Sequence, residues 1–216
     1  MSGTEVTPLP IRWQRRWEEA REWLALGAIF IPVGDRLLEK YCAPGRHYHD
    51  GRHVLACLRA LDNFPGKIGN SNAVELAIWF HDAVYDPRAS DNEAQSAAYF
   101  RHEFGLYASG IEKVERLIMA TRHGETEPES ADESLIIDID LGILGADPAR
   151  YKLYAQDIRS EYAHVDEESY KNGRGNVLKS FLARKQIYQT RHYRKLLEKQ
   201  ARENLLQELD ELEAEA

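Results

Sequence analysis

Sulfur is scarce in this chain: of 216 residues, two are cysteine and two methionine. Cys42 and Cys57 lack the CxxC or zinc-finger spacing that would mark a metal knuckle or a redox pair. They read as reduced thiols of a cytosolic protein. Long hydrophobic runs are missing as well. None approaches the roughly 18–20 residues that a membrane span needs, which predicts a soluble protein with no membrane partner. Glu5, Arg12, Arg15 and Arg16 stand where the apolar region of a signal peptide would lie, so no secretory leader is expected. Basic charge is in deficit: 28 Lys and Arg against 36 Asp and Glu give a net charge of -8. A duplex binder draws most of its affinity from phosphate contacts and carries a basic excess or stripe, so a nucleic acid duplex is a poor default partner. A small anionic substrate remains open, because a bound metal supplies positive charge locally.

Gly-bounded runs of alternating hydrophobicity are also nearly absent, and the helical period of 3.6 fills their place. Hydrophobic residues at 43% support a sizeable core. The expectation is an all-α chain forming one domain over residues 1–216. Residues 1–10 form a loose lead-in. Trp13, Trp17, Ala20 and Leu24 recur on one face of a first helix, and Gly34-Asp35 opens a second. Pro44-Gly45 makes a turn. Tyr48 to Leu61 reads as a helix with Val54, Leu55, Leu58 and Leu61 inward. Asn72 and Glu75, then Ser90 and Glu93, have capping-box spacing. Between them Val74, Leu76, Ala77, Ile78, Trp79 and Phe80 follow almost without a polar break, the mark of a helix buried on every side. A further helix spans about 109–121, and a polar acidic loop runs from Glu125 to Glu133. Ser134 to Leu144 alternates like a strand, but in a helical chain reads better as a buried helix carrying two aspartates. Asp147-Pro148 and Asp166 cap two more helices. The last helix begins near Arg191. Its Leu196, Leu197, Ala201, Leu205, Leu209 and Leu212 form a packing face or, alternatively, a homodimer contact.

The chemistry concentrates on a few polar residues in apolar surroundings. His81-Asp82 ends the most apolar helix. An unpaired buried carboxylate costs several kcal/mol or more, so a partner is required. A divalent cation accepts both an imidazole nitrogen and a carboxylate oxygen; a plain His–Asp hydrogen bond, or an exposed pair beyond the helix end, is the bland alternative. His49 and His53 lie at i and i+4 on the expected helix and so share a face from which two imidazoles can reach a common site. Asp138 and Asp140 lie in an apolar segment and ask for a cation, a helix cap or an arginine.

In order, these residues spell H…HD…D, which resembles the HD-domain superfamily of metal-dependent phosphohydrolases. Tyr48-His49-Asp50-Gly51-Arg52-His53-Val54 looks like the YHxxxH element of cyclic-nucleotide phosphodiesterases within it, and Asp138-Ile139-Asp140-Leu141 is similar to its late aspartate followed by leucine. Over nearly the whole chain, YHDGRHV, FHDAVYD, SDNEAQSA, DIDLGILG, RSEYAHV and ARENL resemble a bacterial family of predicted HD-type phosphohydrolases, one that implies no particular substrate.

That resemblance implies an HD-domain-like helical bundle around a buried metal site with His53, His81, Asp82 and Asp140 as ligands, and Asp138 as the fallback for Asp140. It leaves His49 as the general acid that protonates the leaving oxygen. Asp82 or Asp138 would orient the attacking water, and His123 would be a further ligand or a substrate contact. Imidazole with carboxylate suits Mn, Fe, Co, Ni or Zn, and Mg less well. Asn92, Glu93 and Arg159 are candidate contacts to a small phosphorylated substrate, the arginine because its planar fork suits phosphate. The HDxxE acid of some relatives is missing, with Tyr85 in its place. The expected activity is hydrolysis of a small phosphate ester, a nucleotide among the candidates, by metal-activated water. The rivals are a catalytically silent metal- or nucleotide-binding regulatory module and a di-iron HD-type oxygenase.

Overall fold

A computed structural model describes residues 8–23, 27–105, 110–123 and 127–214. Among these residues the chain is all helical, with ten α-helices and no strand. They run α1 (Leu9–Trp23), α2 (Ile31–Tyr41), α3 (Gly51–Asp62), α4 (Ser71–Phe80), α5 (Asn92–Phe104), α6 (Ile111–Ala120), α7 (Ala131–Asp140), α8 (Pro148–Glu161), α9 (Glu167–Leu182) and α10 (Arg191–Ala214). The fold divides into two compact units: Met1–Asp62 with Ser71–Met119, and Asn63–Asn70 with Ala120–Ala216.

The first unit is built on tryptophan. Trp13, Trp17 and Ala20 of α1 are buried as their spacing predicts; Leu24 lies outside the described residues. The indole of Trp79 meets those of Trp13 and Trp17 edge-on, with centroids 4.8 and 5.0 Å apart, the geometry that aligns positive ring edges with negative faces. Burying an indole requires a partner for its N–H. Trp13 donates to the Gly34 carbonyl at 2.8 Å and Trp17 to the Phe30 carbonyl at 3.2 Å. Every residue from Ala73 to Phe80 in α4 is buried, Glu75 among them, as its largely apolar sequence requires. Its last residue, Phe80, meets the rings of Phe100 and Phe104 of α5 edge-on.

Three local expectations shift. Helix α2 starts at Ile31, with Pro32 in its first turn, so Gly34 lies inside it. Its absent Cβ is what lets the Trp17 ring lie against the backbone. Glu75 does not turn back on its helix as a capping box requires; it is buried and faces Arg16 at 3.2 Å. Helix α5 begins at Asn92 behind Asp91, which leaves Ser90 too early to cap it.

The second unit is organised by α10. Asn204 donates to the carbonyls of Leu144 and Ala146, both at 2.8 Å, satisfying the 3-10 turn that follows α7. Glu208 accepts two bonds from Arg174, at 2.7 and 2.9 Å, and one from the Tyr151 hydroxyl. Helix α7 confirms the helical reading of 134–140 and rejects the strand. Asp147 and Asp166 cap α8 and α9 by accepting from Arg150 and Ser169 backbone N–H. A capping signal at Ser130 and Glu133 sits inside the stretch read as loop: Ser130 accepts from the Glu133 N–H, and Glu133 accepts from the Glu129 N–H. Of the apolar face foreseen on α10, Ala201 and Leu205 are fully buried whereas Leu196 is 64% exposed.

A Cβ at residue 34 would lie 2.3 Å from Cδ1 of Trp17. Gly34→Ala should therefore destabilise the protein by about 1–3 kcal/mol, the usual cost of overpacking, read as a lower urea midpoint; an unchanged midpoint would show that Trp17 yields freely.

Candidate functional site

The first unit brings three metal-type donors together. Asp50 ends the turn before α3 and caps it, its Oδ1 accepting from the backbone N–H of Arg52 at 2.8 Å and of His53 at 3.4 Å. This places His53 in the first turn of α3, buried. His81 extends α4 by one more residue, its N–H bonding the Ala77 carbonyl at 2.8 Å. Its side chain folds back, and Nδ1–H donates to the Ile78 carbonyl at 2.9 Å. That bond fixes the tautomer and leaves a lone pair on Nε2.

Nε2 of His81 faces Nε2 of His53 at 3.1 Å. Oδ2 of Asp82 lies 3.1 Å from His81 Nε2 and 3.7 Å from His53 Nε2. One atom from each of the three lies within 4.8 Å of the others. A single proton on a neutral imidazole satisfies only one of these approaches. A divalent cation satisfies all three at once. Two ligand atoms each about 2.1 Å from an ion lie roughly 3.0–3.4 Å apart at octahedral to tetrahedral angles; the two separations at His81 Nε2 have that spacing, and the third, 3.7 Å, is slightly wider. The imidazoles are almost fully covered, whereas the Asp82 side chain keeps 15% of its exposure, so the trio opens to solvent at its carboxylate.

His49 departs from expectation. Residues 47–50 form a bend, α3 begins only at Gly51, and the shared-face argument for His49 and His53 fails. The two rings still lie 6.1 Å apart, because the bend folds His49 onto the Tyr85 ring, stacked at 4.2 Å. Tyr85, which occupies the place of the missing acid, thus supports His49. Arg46 secures the arrangement, and nothing in the sequence pointed to it. It donates to the carbonyls of His49 at 2.8 Å, Asp82 at 2.7 Å and Ala83 at 3.1 Å, and lies over the rings of Tyr41 and Tyr85. Cys57 is buried with Sγ 3.6 and 3.8 Å from the two ring nitrogens of His53. Being almost equidistant, it flanks the ring rather than meeting either lone pair.

In the second unit the two candidate aspartates separate. Asp140 ends α7 and meets Nε2 of His123 through Oδ2 at 2.7 Å. The partly buried His123 keeps a covered Nδ1 that has no acceptor among the described residues. Asp138 is fully buried and turned elsewhere. Its two oxygens accept from the backbone N–H groups of Gln189 at 2.6 Å and Thr190 at 2.7 Å, tying down the start of α10. Burial pushes its pKa up, and those N–H bonds pull it part of the way back. Loop anchorage thus occupies the residue that the sequence offered as the fallback ligand for Asp140 or as a group orienting the attacking water.

Two of the remaining candidates, Asn92 and Arg159, have structural work. Asn92 closes the 86–92 loop, donating to the Asp86 carbonyl and accepting from its N–H, both at 2.9 Å. Glu93 sits half-buried in the first turn of α5. Arg159 binds the carbonyls of Tyr162 and Val165 beyond the end of α8 and pairs with Glu167.

No family model matches the chain, and neither a curated protein nor a solved structure does so.

Two substitutions separate scaffold from site. Asp138→Asn should lower stability at pH 7 by about 1–3 kcal/mol while leaving metal content unchanged by elemental analysis; metal loss in a folded variant would return Asp138 to the site. Arg46→Ala should cost about 1.5–3 kcal/mol and also weaken metal retention, because the backbone of Asp82 is then untethered.

Proposed function

We propose that the chain is a metal-dependent phosphohydrolase that cleaves a small phosphate ester. The observation that carries this reading is the convergence of His53, His81 and Asp82, two buried imidazole nitrogens and a carboxylate oxygen at ligand–ligand spacing. The order H…HD…D, with its resemblance to HD-type phosphohydrolases, supplies Asp140 as the fourth ligand, and His123, which meets its Oδ2, would orient that carboxylate. A divalent cation held there lowers the pKa of water toward neutrality and draws electron density from a phosphoryl oxygen.

The chain's own residues do the rest in this reading. Water oxygen forms the new P–O bond as the ester P–O bond breaks. His49 delivers a proton to the departing oxygen. Stacking on Tyr85 and the Arg46 tether at its carbonyl hold its imidazole in one orientation. Asp82, at the open edge of the trio, faces the place where substrate and water arrive and accepts a hydrogen bond from that water.

A second reading, a silent metal-binding or nucleotide-binding regulatory module, draws on Tyr85: the position of the accessory acid carries a ring that packs on His49 instead.

The test begins with metal content. Purified protein should hold about one divalent ion per chain, and His53→Ala or His81→Ala should remove it. With Mn or Co present, a panel of phosphomonoesters and cyclic nucleotides should show turnover. His49→Ala should keep the metal and lose 10²–10⁴-fold in kcat, the typical share of a general acid. Metal retained without turnover on any ester would favour the silent module. Two irons per chain would point to oxygenase chemistry, and no ion at all would defeat the reading.

A further inference from the structure

We propose that a groove between α1 and α3 is a binding site for a phosphate-sized oxyanion, separate from the histidine–aspartate donors. Four arginines line it: Arg12, Arg15 and Arg16 from α1, and Arg59 from α3. The first three stand at i, i+3 and i+4 and so share a helix face. In a chain of net charge -8, this face gathers like charges that repel one another unless acids or an anion intervene.

The acids at hand do not suffice. Glu19 and Asp62 also line the groove. Asp62 is spent on Arg16 at 3.0 Å, the same guanidinium that meets Glu75 at 3.2 Å, and Glu19 stands 4.0 Å from it. Among the described residues neither Arg12 nor Arg15 is paired with a carboxylate. Arg12 and Arg16 each carry a covered Nε–H that also lacks an acceptor among those residues. Arg12 and Arg15 thus bring the groove donors that no carboxylate among the described residues takes up.

Size and floor define the ligand. The groove holds about 170 Å³, well under the roughly 300–1,000 Å³ of sites that enclose drug-sized molecules. It suits an orthophosphate or pyrophosphate group and not a whole nucleoside. Leu55 and Leu58, 5% and 1% exposed, form the floor, and an apolar wall strengthens the attraction between guanidinium and oxyanion. The planar forks of arginine match tetrahedral oxyanions through paired N–H bonds. Helix α3 turns about 100° per residue, so the groove residues Leu55, Leu58 and Arg59 point away from the face that carries His53. The site therefore does not depend on the metal reading.

Calorimetric titration of the full chain with inorganic pyrophosphate at low salt tests this. One equivalent should bind in a salt-sensitive manner. Arg12→Gln with Arg15→Gln should weaken that equivalent at least tenfold with the circular dichroism spectrum unchanged, whereas His81→Ala should leave it intact. Should the double variant fold poorly, Arg15→Glu alone, at an exposed position, should produce the same loss. A parallel titration with a nucleoside triphosphate tells free pyrophosphate from the terminal phosphates of a larger molecule. Absence of binding, binding indifferent to the arginines, or binding abolished by His81→Ala alone would overturn the site.

Discussion

Two imidazole nitrogens 3.1 Å apart, one of them 3.1 Å from a carboxylate oxygen, form a donor group that a divalent cation would satisfy at once. A proton serves one such pair; the third group is then left facing a lone pair of like sign. Much of the first unit bears on that contact. The Ile78 carbonyl holds His81 in one tautomer, Asp50 sets the start of α3 and so the height of His53, and Arg46 bonds to the Asp82 and Ala83 carbonyls where α4 gives way to a turn. None of these three supports meets the ion in the proposed reading. Each fixes a ligand through backbone or through its distal nitrogen, as second-layer partners do in metal sites.

Rigidity beneath the site comes from the tryptophan cluster. Trp13, Trp17 and Trp79 lock α1 onto α4, and Tyr41 donates to the Trp79 carbonyl at 3.1 Å. Helix α4 is buried on all sides, so the residues at its end inherit its position. This is why the polar dipeptide His81-Asp82 can follow an apolar run and still be precisely placed. The second unit shows a different use of buried carboxylates. Asp138 and Asp132 each receive two backbone N–H bonds from a loop, Gln189–Thr190 in one case and Gly69–Asn70 in the other. A carboxylate so served is satisfied without a cation, and that distinguishes Asp138 from Asp140, two residues on, which meets His123.

Legibility followed the range of the interaction. Short-range signals were readable: Asp147-Pro148 and Asp166 cap the helices they precede, and the apolar stretch of 74–80, broken only by Glu75, makes a helix buried from Ala73 to Phe80. Such patterns act within one turn, so the sequence carries the whole cause. Where two local rules competed, the reading slipped. Asn72 and Glu75 have the spacing of a capping box, but Glu75 is drawn to Arg16 of another helix. His49 and His53 have the spacing of a shared face, but Asp50 caps α3 and puts His49 outside it.

By itself the sequence determined that the chain is helical, where most helices lie, and that His53, His81 and Asp82 are polar groups set in oily surroundings. The period of apolar residues fixes which side of a helix is covered, and a covered ionisable group demands a partner whatever the fold. Only the tertiary structure decided which partner. It gave Asp138 to the backbone of a distant loop, set Tyr85 against His49, and recruited Arg46 through carbonyl groups that belong to no motif. Backbone carbonyls are the same at every position, so a side chain that binds them leaves no trace in the pattern of residue types.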